Sequence, residues 1–342
     1  MSRLKDVPFL LSVFVTIAAL ALLSILGAFS PAYGYGEEPA ETIIVYLPLI
    51  AKQETPVPPP TGWYNYINYY RDMARLPLVT ENTSWSYGDW LHSRYMVKND
   101  YIGHSETAGN PWYTAEGNAA AGSSNVMLSS WTGTSDEHAI DLWMQGPFHA
   151  VGIIDPQLAT VGFGSYREAD GGYQMGAAVD VLRGLGGLPP SVQFPVKWPS
   201  DGKSVPLTGY WGGETPNPLT GCSGYSVPTG LPIILQIGSG GLTPSVTAHS
   251  FMQGSTPLEH CVFDETNYTN PDYQSLGRSV LGSRDAIILI PRNPLTAGAS
   301  YTASITANGQ THTWTFSVYS GSAAMQGKSQ NPDVPAVEYL IR

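Results

Sequence analysis

The spacing of apolar side chains changes partway along this chain of 342 residues, and that change most constrains the fold. Apolar residues first recur at helical spacing, as in Trp63, Ile67 and Tyr70. From about residue 159 they alternate with polar residues, which is the period of half-buried strands. Helices that precede a strand pair predict helices packed on an antiparallel sheet, so the predicted fold class is α+β.

The helical part predicts three helices and then two strands, with limits set by proline, glycine and capping residues. In chain order, the sequence predicts a helix from Trp63 that stops at Pro77, a helix that opens with a Ser86-x-x-Asp89 capping box and ends near Gly103, a helix that opens with Thr134-x-x-Glu137 and ends at Gly146-Pro147, and strands at 159–166 and 173–182.

Residues 190–320 predict an all-β region in which short apolar runs are separated by glycine and proline turns. The clearest element is a hairpin over residues 301–318, because Asn308-Gly309 between two alternating runs is the signal of a two-residue type I′ turn. Many short strands with a disulfide imply a β-sandwich.

The N-terminus has the layout of a secretory signal. Arg3 and Lys5 precede an apolar stretch over residues 9–29, which predicts a signal peptide within residues 1–32. The stretch is also long enough to stay as a membrane anchor. In either case we expect the remainder to be secreted or held at the cell surface. Residues 33–60 are then a Pro-rich linker, and residues 321–342 are a flexible tail.

Cysteine usage and net charge narrow the classes of function. Cys222 and Cys261 are the two cysteines, and an even pair in an exported chain favours a disulfide, with two free thiols as the alternative. The formal net charge of −11 leaves no basic face large enough to neutralise phosphates, so we expect no nucleic acid partner. The sequence also lacks a Gly-x-Ser-x-Gly elbow, a Walker loop and a dinucleotide fingerprint.

His104, Glu116 and His149 are the candidate catalytic and metal-binding residues. Each stands at the end of a predicted element, where side chains from different elements can converge on a cleft. Two imidazoles and a carboxylate can hold a metal such as Zn²⁺, or act as an acid/base set. Their spacing alone leaves open that the three have separate structural roles.

An ordered set of motifs in residues 61–185 resembles the CAP superfamily of cysteine-rich secretory, antigen 5 and pathogenesis-related proteins, in its bacterial branch. The matching segments are Asn68-Tyr69-Tyr70-Arg71, residues 91–101 leading into His104, Glu116-Gly117-Asn118 with Ala121-Gly122, residues 139–143 leading to Pro147-Phe148-His149, and residues 152–156 running into Val161-Gly162-Phe163-Gly164. The resemblance implies an α–β–α sandwich with a cleft.

In that family two histidines and one or two acids line the cleft and can bind a divalent metal. Carried over by motif, these fall on His104, Glu116 and His149. Two departures weaken the expected metal site. The family reads Gly-Glu-Asn where this chain reads Glu116-Gly117-Asn118, and a second acidic position falls on Gly146. Asp141 is the alternative source of a missing acid.

A second resemblance covers the end of the β-rich part. Residues 294–302, Asn308-Gly309 and residues 313–316 look like bacterial Ig-like modules of surface proteins. This resemblance implies a spacer or adhesion role for residues 190–320. The remaining histidines, at positions 92, 138, 249, 260 and 312, are predicted to be structural, with His138 at the start of a helix.

Three functions follow as expectations. The first is a secreted or cell-surface CAP-domain protein whose His/Glu-lined cleft binds an extracellular lipid, glycan or protein. The alternatives are a metal-assisted hydrolase that uses His104, Glu116 and His149, and a structural adhesin without a site. Some of the aromatic residues crowded between positions 63 and 113 can also line a groove for an apolar or sugar-like ligand.

Overall fold

The computed structural model describes residues 59–320 and 337–340. The predicted signal or anchor, most of the linker and most of the tail lie outside these residues. The helices are α1 (Trp63–Met73), α2 (Thr83–Lys98), α3 (Ala115–Ala121), α4 (Asp136–Gln145), α5 (Pro147–Ile153) and α6 (Gln274–Gly282). The strands are β1 (Thr80–Glu81), β2 (Ser124–Ser129), β3 (Thr160–Val161), β4 (Phe163–Arg167), β5 (Met175–Asp180), β6 (Val196–Trp198), β7 (Ser204–Val205), β8 (Gly209–Tyr210), β9 (Glu214–Thr215), β10 (Thr229–Gly230), β11 (Ile233–Gln236), β12 (Val246–Gln253), β13 (Thr256–Pro257), β14 (His260–Phe263), β15 (Ala286–Pro291), β16 (Ser300–Ala307), β17 (Gln310–Val318) and β18 (Val337–Leu340).

The first helix is confirmed, whereas the second begins earlier than its predicted capping box. The side chain of Asn82 accepts hydrogen bonds from the backbone N–H groups of Ser84 and Trp85, at 3.0 and 3.3 Å, and so caps α2. Ser86 lies inside the helix, and its hydroxyl donates to Glu81 at 2.8 Å. The helix ends at Lys98, before Gly103. Asn82 rather than Ser86 is the cap because Asn82 has the extended backbone conformation that precedes the first turn of the helix.

Gly146-Pro147 ends one helix and begins another. Ser135, one residue after the predicted cap, accepts from the N–H of His138 at 3.1 Å, and α4 runs from there to Gln145. Proline suits the first helical position because it lacks an N–H that would need a partner, and Pro147 therefore opens α5. His149 consequently lies in the first turn of a buried helix rather than after one.

The helices of the first part pack against a five-stranded sheet of order β4-β5-β2-β18-β9. Strands β4, β5, β2 and β18 run antiparallel, and β18 pairs in parallel with β9. The expected flexible tail at residues 321–342 is therefore wrong for residues 337–340, which form a strand. The backbone groups of β2 need partners on both sides of this buried strand, and β18 supplies one set.

The β-rich part contains the predicted hairpin and disulfide. Strands β16 and β17 pair through Asn308-Gly309, whose φ angles of 49° and 77° are those of a type I′ turn. The strands form one sheet of order β13-β12-β16-β17-β7 and another of order β14-β15-β11-β6. The disulfide joins Cys222 to Cys261 at the edge strand β14.

One hydrophobic core extends from the first part into the β-rich part. The ring of Tyr70 on α1 meets that of Trp198 on β6 edge to face, with centroids 5.5 Å apart. The amide of Gln236 on β11 donates to the carbonyl of Ile154 at 3.1 Å. The two halves that differ in sequence pattern are thus packed as one body within residues 59–320.

Asp141 on α4 is a buried carboxylate that accepts two phenol hydrogen bonds from α1. Tyr66 donates to it at 2.7 Å, and Tyr70 donates to the same oxygen. Desolvation by burial raises the pKa of Asp141 to about 7, although both tyrosines oppose the shift. Asp141 therefore joins α1 to α4 and does not supply an acid to the candidate cleft.

Asp141→Asn is expected to remove a pH dependence of the free energy of unfolding. The raised pKa means that the folded state holds a proton that the unfolded chain loses near pH 4. Stability from Asp141 is therefore full below that pH and is lost as the pH rises towards 7. Relative to the variant, the wild type should lose about 1.4 kcal/mol per pH unit in this window. Urea unfolding of both proteins at pH 5, 6, 7 and 8 measures the difference, and parallel pH curves would contradict it.

Replacement of both cysteines by serine is expected to destabilise the protein by about 4 kcal/mol in the chain-entropy estimate. The bond closes a loop with a sequence separation of 39 and anchors β14. Urea unfolding with and without reductant measures the loss. Reductant should lower the midpoint of the wild type and leave that of the Cys222→Ser/Cys261→Ser variant unchanged.

Candidate functional site

His149 lies in the first turn of α5 with its side chain fully buried against Glu214. Its Nδ1 is 2.7 Å from Oε1 of Glu214, and its backbone N–H donates to the same oxygen at 3.0 Å. The backbone N–H of Phe148 also donates to this carboxyl group. Glu214 belongs to β9, at the edge of the five-stranded sheet, and reaches the start of a helix 65 residues earlier in the chain.

The carboxyl group of Glu214 occupies the space that a side chain at position 146 would need. A Cβ atom built on Gly146 would lie 2.6 Å from the carboxyl carbon of Glu214. The family resemblance placed a second acid at this position, which is glycine here. An acid is therefore present in that space, but it arrives from the β-rich part. Burial raises the pKa of Glu214 well above its usual value, opposed by the two N–H donors.

A glutamate from another part of the chain also fills the space beside Gly117, and we call each of these two arrangements a glycine–glutamate exchange. A Cβ atom there would lie 2.4 Å from Oε1 of Glu106, which comes from the loop after α2. Glu106 is buried, accepts the N–H of Thr114 at 2.9 Å, and lies 3.1 Å from Nδ1 of His92. The other ring nitrogen of His92 is 2.9 Å from the carbonyl oxygen of Gly103. Because His92 faces an acceptor on each side, a proton lies between it and Glu106.

Of the predicted site residues, Glu116 does not join either pair. It lies in the first turn of α3 with an exposed side chain, where a carboxylate favours the helix dipole. His104 is half-buried, and its Nδ1 is 3.1 Å from the carbonyl oxygen of Ala121 at the end of α3. The structure thus pairs the buried histidines 149 and 92 with Glu214 and Glu106, and leaves Glu116 at the surface.

The donor set does not fit the divalent metal that the family resemblance implies. Glu116 is exposed at the surface whereas the side chain of His149 is fully buried, and both ring nitrogens of His92 face acceptors. In residues 59–320, no three side chains of histidine, cysteine, aspartate or glutamate are grouped to hold a metal ion. We therefore derive no chemistry through a metal at His104, Glu116 and His149.

A second constellation lies on the outward face of α2. Trp90 lies nearly parallel to the exposed ring of Tyr87, with centroids 5.9 Å apart and an interplanar angle of 11°. The guanidinium carbon of Arg94 is 5.0 Å from the Trp90 ring centroid and 5.3 Å from that of Trp112. Lys98 lies 5.1 Å from Trp112, one turn further along. We call these five residues the α2 aromatic face.

The two cations of the α2 aromatic face differ in whether they pair with a carboxylate. Lys98 pairs with Glu168. Arg94 forms no ion pair with a carboxylate of the described chain, and its buried Nε has no hydrogen-bond acceptor there. The aromatic crowding is visible in the sequence, whereas the role of Arg94 was not predicted; its spacing of four residues from Trp90 was the available signal.

None of the helices in the described ranges is both long and apolar enough to cross a membrane.

Residues 64–181 match the family model described as CAP: Cysteine-rich secretory protein family. No curated protein matches the chain. The Ig-like resemblance of residues 190–320 stays a prediction.

A solved structure that matches is described as an extracellular protein containing a SCP domain from Bacillus anthracis str. Ames. It is 16% identical, with a TM-score of 0.26, and the match covers 34% of this chain and 38% of that chain. The present chain thus spans well under half of that relative. On the family match, residues 64–181 of this chain are a CAP domain.

Proposed function

We propose that this protein is an extracytoplasmic binding module that recognises an acidic glycan through the α2 aromatic face. The observation that carries the proposal is Arg94, a cation held between Trp90 and Trp112 without a carboxylate partner in the described chain. An extracytoplasmic location accords with the CAP domain and with the disulfide, since disulfides persist in oxidising compartments.

The geometry favours binding over hydrolysis. A hydrolase must bring substrate and water to its acid and base. The side chains of the His149–Glu214 and His92–Glu106 pairs are 0% exposed. Glu116 is the exposed carboxylate among the predicted residues, and within residues 59–320 it forms no hydrogen bond or ion pair with a histidine. The two pairs therefore serve the fold, and recognition falls to the surface.

The α2 aromatic face suits a sugar polymer with carboxylates. Aromatic ring faces are electron-rich and attract the C–H groups of a sugar ring as well as cations. Tyr87 is 58% exposed, so its ring is open to such stacking. Arg94 offers a planar fork of donors that matches a carboxylate. The net charge of the chain is −11, so Arg94 is a local positive charge on a negative protein. This cation attracts an acidic sugar but not a neutral one, and it therefore gives selectivity between them.

Tyr87→Ala and Arg94→Gln are each expected to weaken binding of polygalacturonate at least tenfold. The first variant removes an exposed stacking ring and the second removes the cation, at a cost of about 1.4 kcal/mol or more each. Titration calorimetry with the full chain measures both, with neutral dextran as the comparison ligand.

Tyr273→Ala is the matched control, because Tyr273 is an exposed aromatic residue of the β-rich part, 45% exposed. It should bind polygalacturonate like the wild type. Equal binding of dextran and polygalacturonate by the wild type, or loss of binding in Tyr273→Ala alone, would contradict the proposal.

Gly146→Ala is expected to destabilise the protein by about 1–3 kcal/mol, the usual cost of overpacking. The backbone of Gly146, at φ −91° and ψ 118°, accepts alanine, so the obstacle is the Glu214 carboxyl group held by its N–H donors. In a Glu214→Ala background the same change should cost close to nothing. Urea unfolding of the wild type, the two single variants and the double variant gives the coupling energy between the two positions.

Gly187→Ala serves as the control for this cycle, because a Cβ atom at Gly187 meets no atom within 4 Å. It should not lower the free energy of unfolding, because alanine at an open position restricts only the unfolded chain. Additive costs for Gly146→Ala and Glu214→Ala would show that the two positions do not share space.

A further inference from the structure

Two histidines of the β-rich part meet where its two sheets lie side by side. His249 belongs to β12 of the five-stranded sheet, and His260 is the first residue of β14 in the four-stranded sheet. Nδ1 of His249 lies 2.8 Å from Nε2 of His260, with ring centroids 5.0 Å apart. His249 is exposed and His260 is half-buried, so solvent reaches the pair.

A backbone carbonyl fixes which nitrogen of His260 is available. Nδ1 of His260 lies 2.7 Å from the carbonyl oxygen of Leu258. A carbonyl oxygen only accepts, so Nδ1 carries the proton and donates it. Nε2 therefore directs its lone pair towards His249. Metal-binding histidines are held in the same way, with the second ring nitrogen bound to a carbonyl or carboxylate.

The surrounding strands hold the backbone of both histidines in place. The residue after His260 is Cys261, which the disulfide ties to Cys222. The N–H of Leu258 donates to the carbonyl of Phe251 at 2.8 Å, which joins the segment before β14 to β12. The rings of Phe251 and Tyr301 stack beneath, with centroids 5.4 Å apart. With both backbone segments held, only the two rings need to turn to bind a ligand.

We propose that His249 and His260 form a two-histidine site for a divalent copper or nickel ion. With metal–nitrogen distances of about 2.0–2.1 Å, a separation of 2.8 Å between the nitrogens corresponds to an angle of about 90° at the metal. That angle suits neighbouring positions of the square-planar or octahedral geometry of Cu²⁺ and Ni²⁺. Tetrahedral Zn²⁺ would need the nitrogens about 3.4 Å apart.

Both rings can bind without a change in their charge. His260 uses the lone pair of Nε2, which the hydrogen bond aims at Nδ1 of His249, so both rings must turn by about 45° for their lone pairs to converge on one ion. His249 uses Nδ1 after its proton passes through solvent to Nε2, which leaves the ring neutral. Water fills the other positions of the metal, because the pair faces solvent and no third histidine, cysteine or carboxylate of residues 59–320 is grouped with it to form a metal site.

His312 supplies a matched control on the same sheet. In register, His249 pairs with Ile305, and Ile305 pairs with His312. His312 is thus two strands away, or roughly 10 Å, and cannot bind the same ion. It also resembles His249 in being partly exposed on a strand.

The test is titration of the full chain, without an affinity tag, with Cu²⁺, Ni²⁺ and Zn²⁺, followed by calorimetry and by electron paramagnetic resonance of the Cu²⁺ form. The wild type should bind one Cu²⁺ with two imidazole nitrogens in its spectrum. His249→Ala and His260→Ala should each weaken this binding at least tenfold, and His312→Ala should leave it unchanged. Ni²⁺ should behave like Cu²⁺, with Zn²⁺ weaker.

Circular dichroism of each variant checks that it is folded before its metal binding is compared. His249→Gln provides a second variant at the exposed position. Cu²⁺ bound elsewhere, for example at a terminal amine, would persist in all variants as a separate class of sites. Binding that is equal in the wild type, His249→Ala and His260→Ala would overturn the proposal, as would a spectrum with fewer than two imidazoles.

Discussion

The carboxyl group of Glu214 at the start of α5 is the contact on which the arrangement of the two halves depends. The first N–H groups of any helix lack partners within the helix, and in a buried helix they must find them elsewhere. Glu214 accepts from Phe148 and His149, and its own strand is held through β18 to β2. The β-rich part therefore completes a helix of the CAP domain.

The other end of α5 is closed in the complementary way. The buried guanidinium of Arg71 donates to the carbonyl oxygens of Ile153, Asp155 and Leu158 at 2.8, 2.9 and 3.0 Å. Burial lowers the pKa of Arg71 to about 10, which leaves it charged at neutral pH. The carboxyl group lies at the N-terminus of α5 and the cation at its C-terminus, and these are the ends at which the helix dipole favours each of them. A short helix that is buried along its length is thus secured by two distant side chains.

Local signals were enough to predict α1, the β16–β17 hairpin and the CAP resemblance. The spacing of Trp63, Ile67 and Tyr70 and the turn at Asn308-Gly309 each depend on neighbouring residues alone. Contacts across the chain could not be predicted in this way. Glycine at 117 and 146 signalled that the expected acids were missing, but a glycine does not indicate which distant side chain fills its space.

The two glycine–glutamate exchanges explain why the acids that the family motifs lead one to expect do not stand at positions 117 and 146. Glu106 and Glu214 stand where side chains at 117 and 146 would stand, and a Cβ atom at either glycine is incompatible with the carboxyl group beside it. Each exchange is therefore a coupled pair that single-position comparison cannot detect. Because both carboxyl groups are buried and paired with histidines, they hold the fold together. The proposed binding chemistry lies instead at exposed positions, on the α2 aromatic face and at the His249–His260 pair, and the histidine pair is outside the segments that carry the family resemblance.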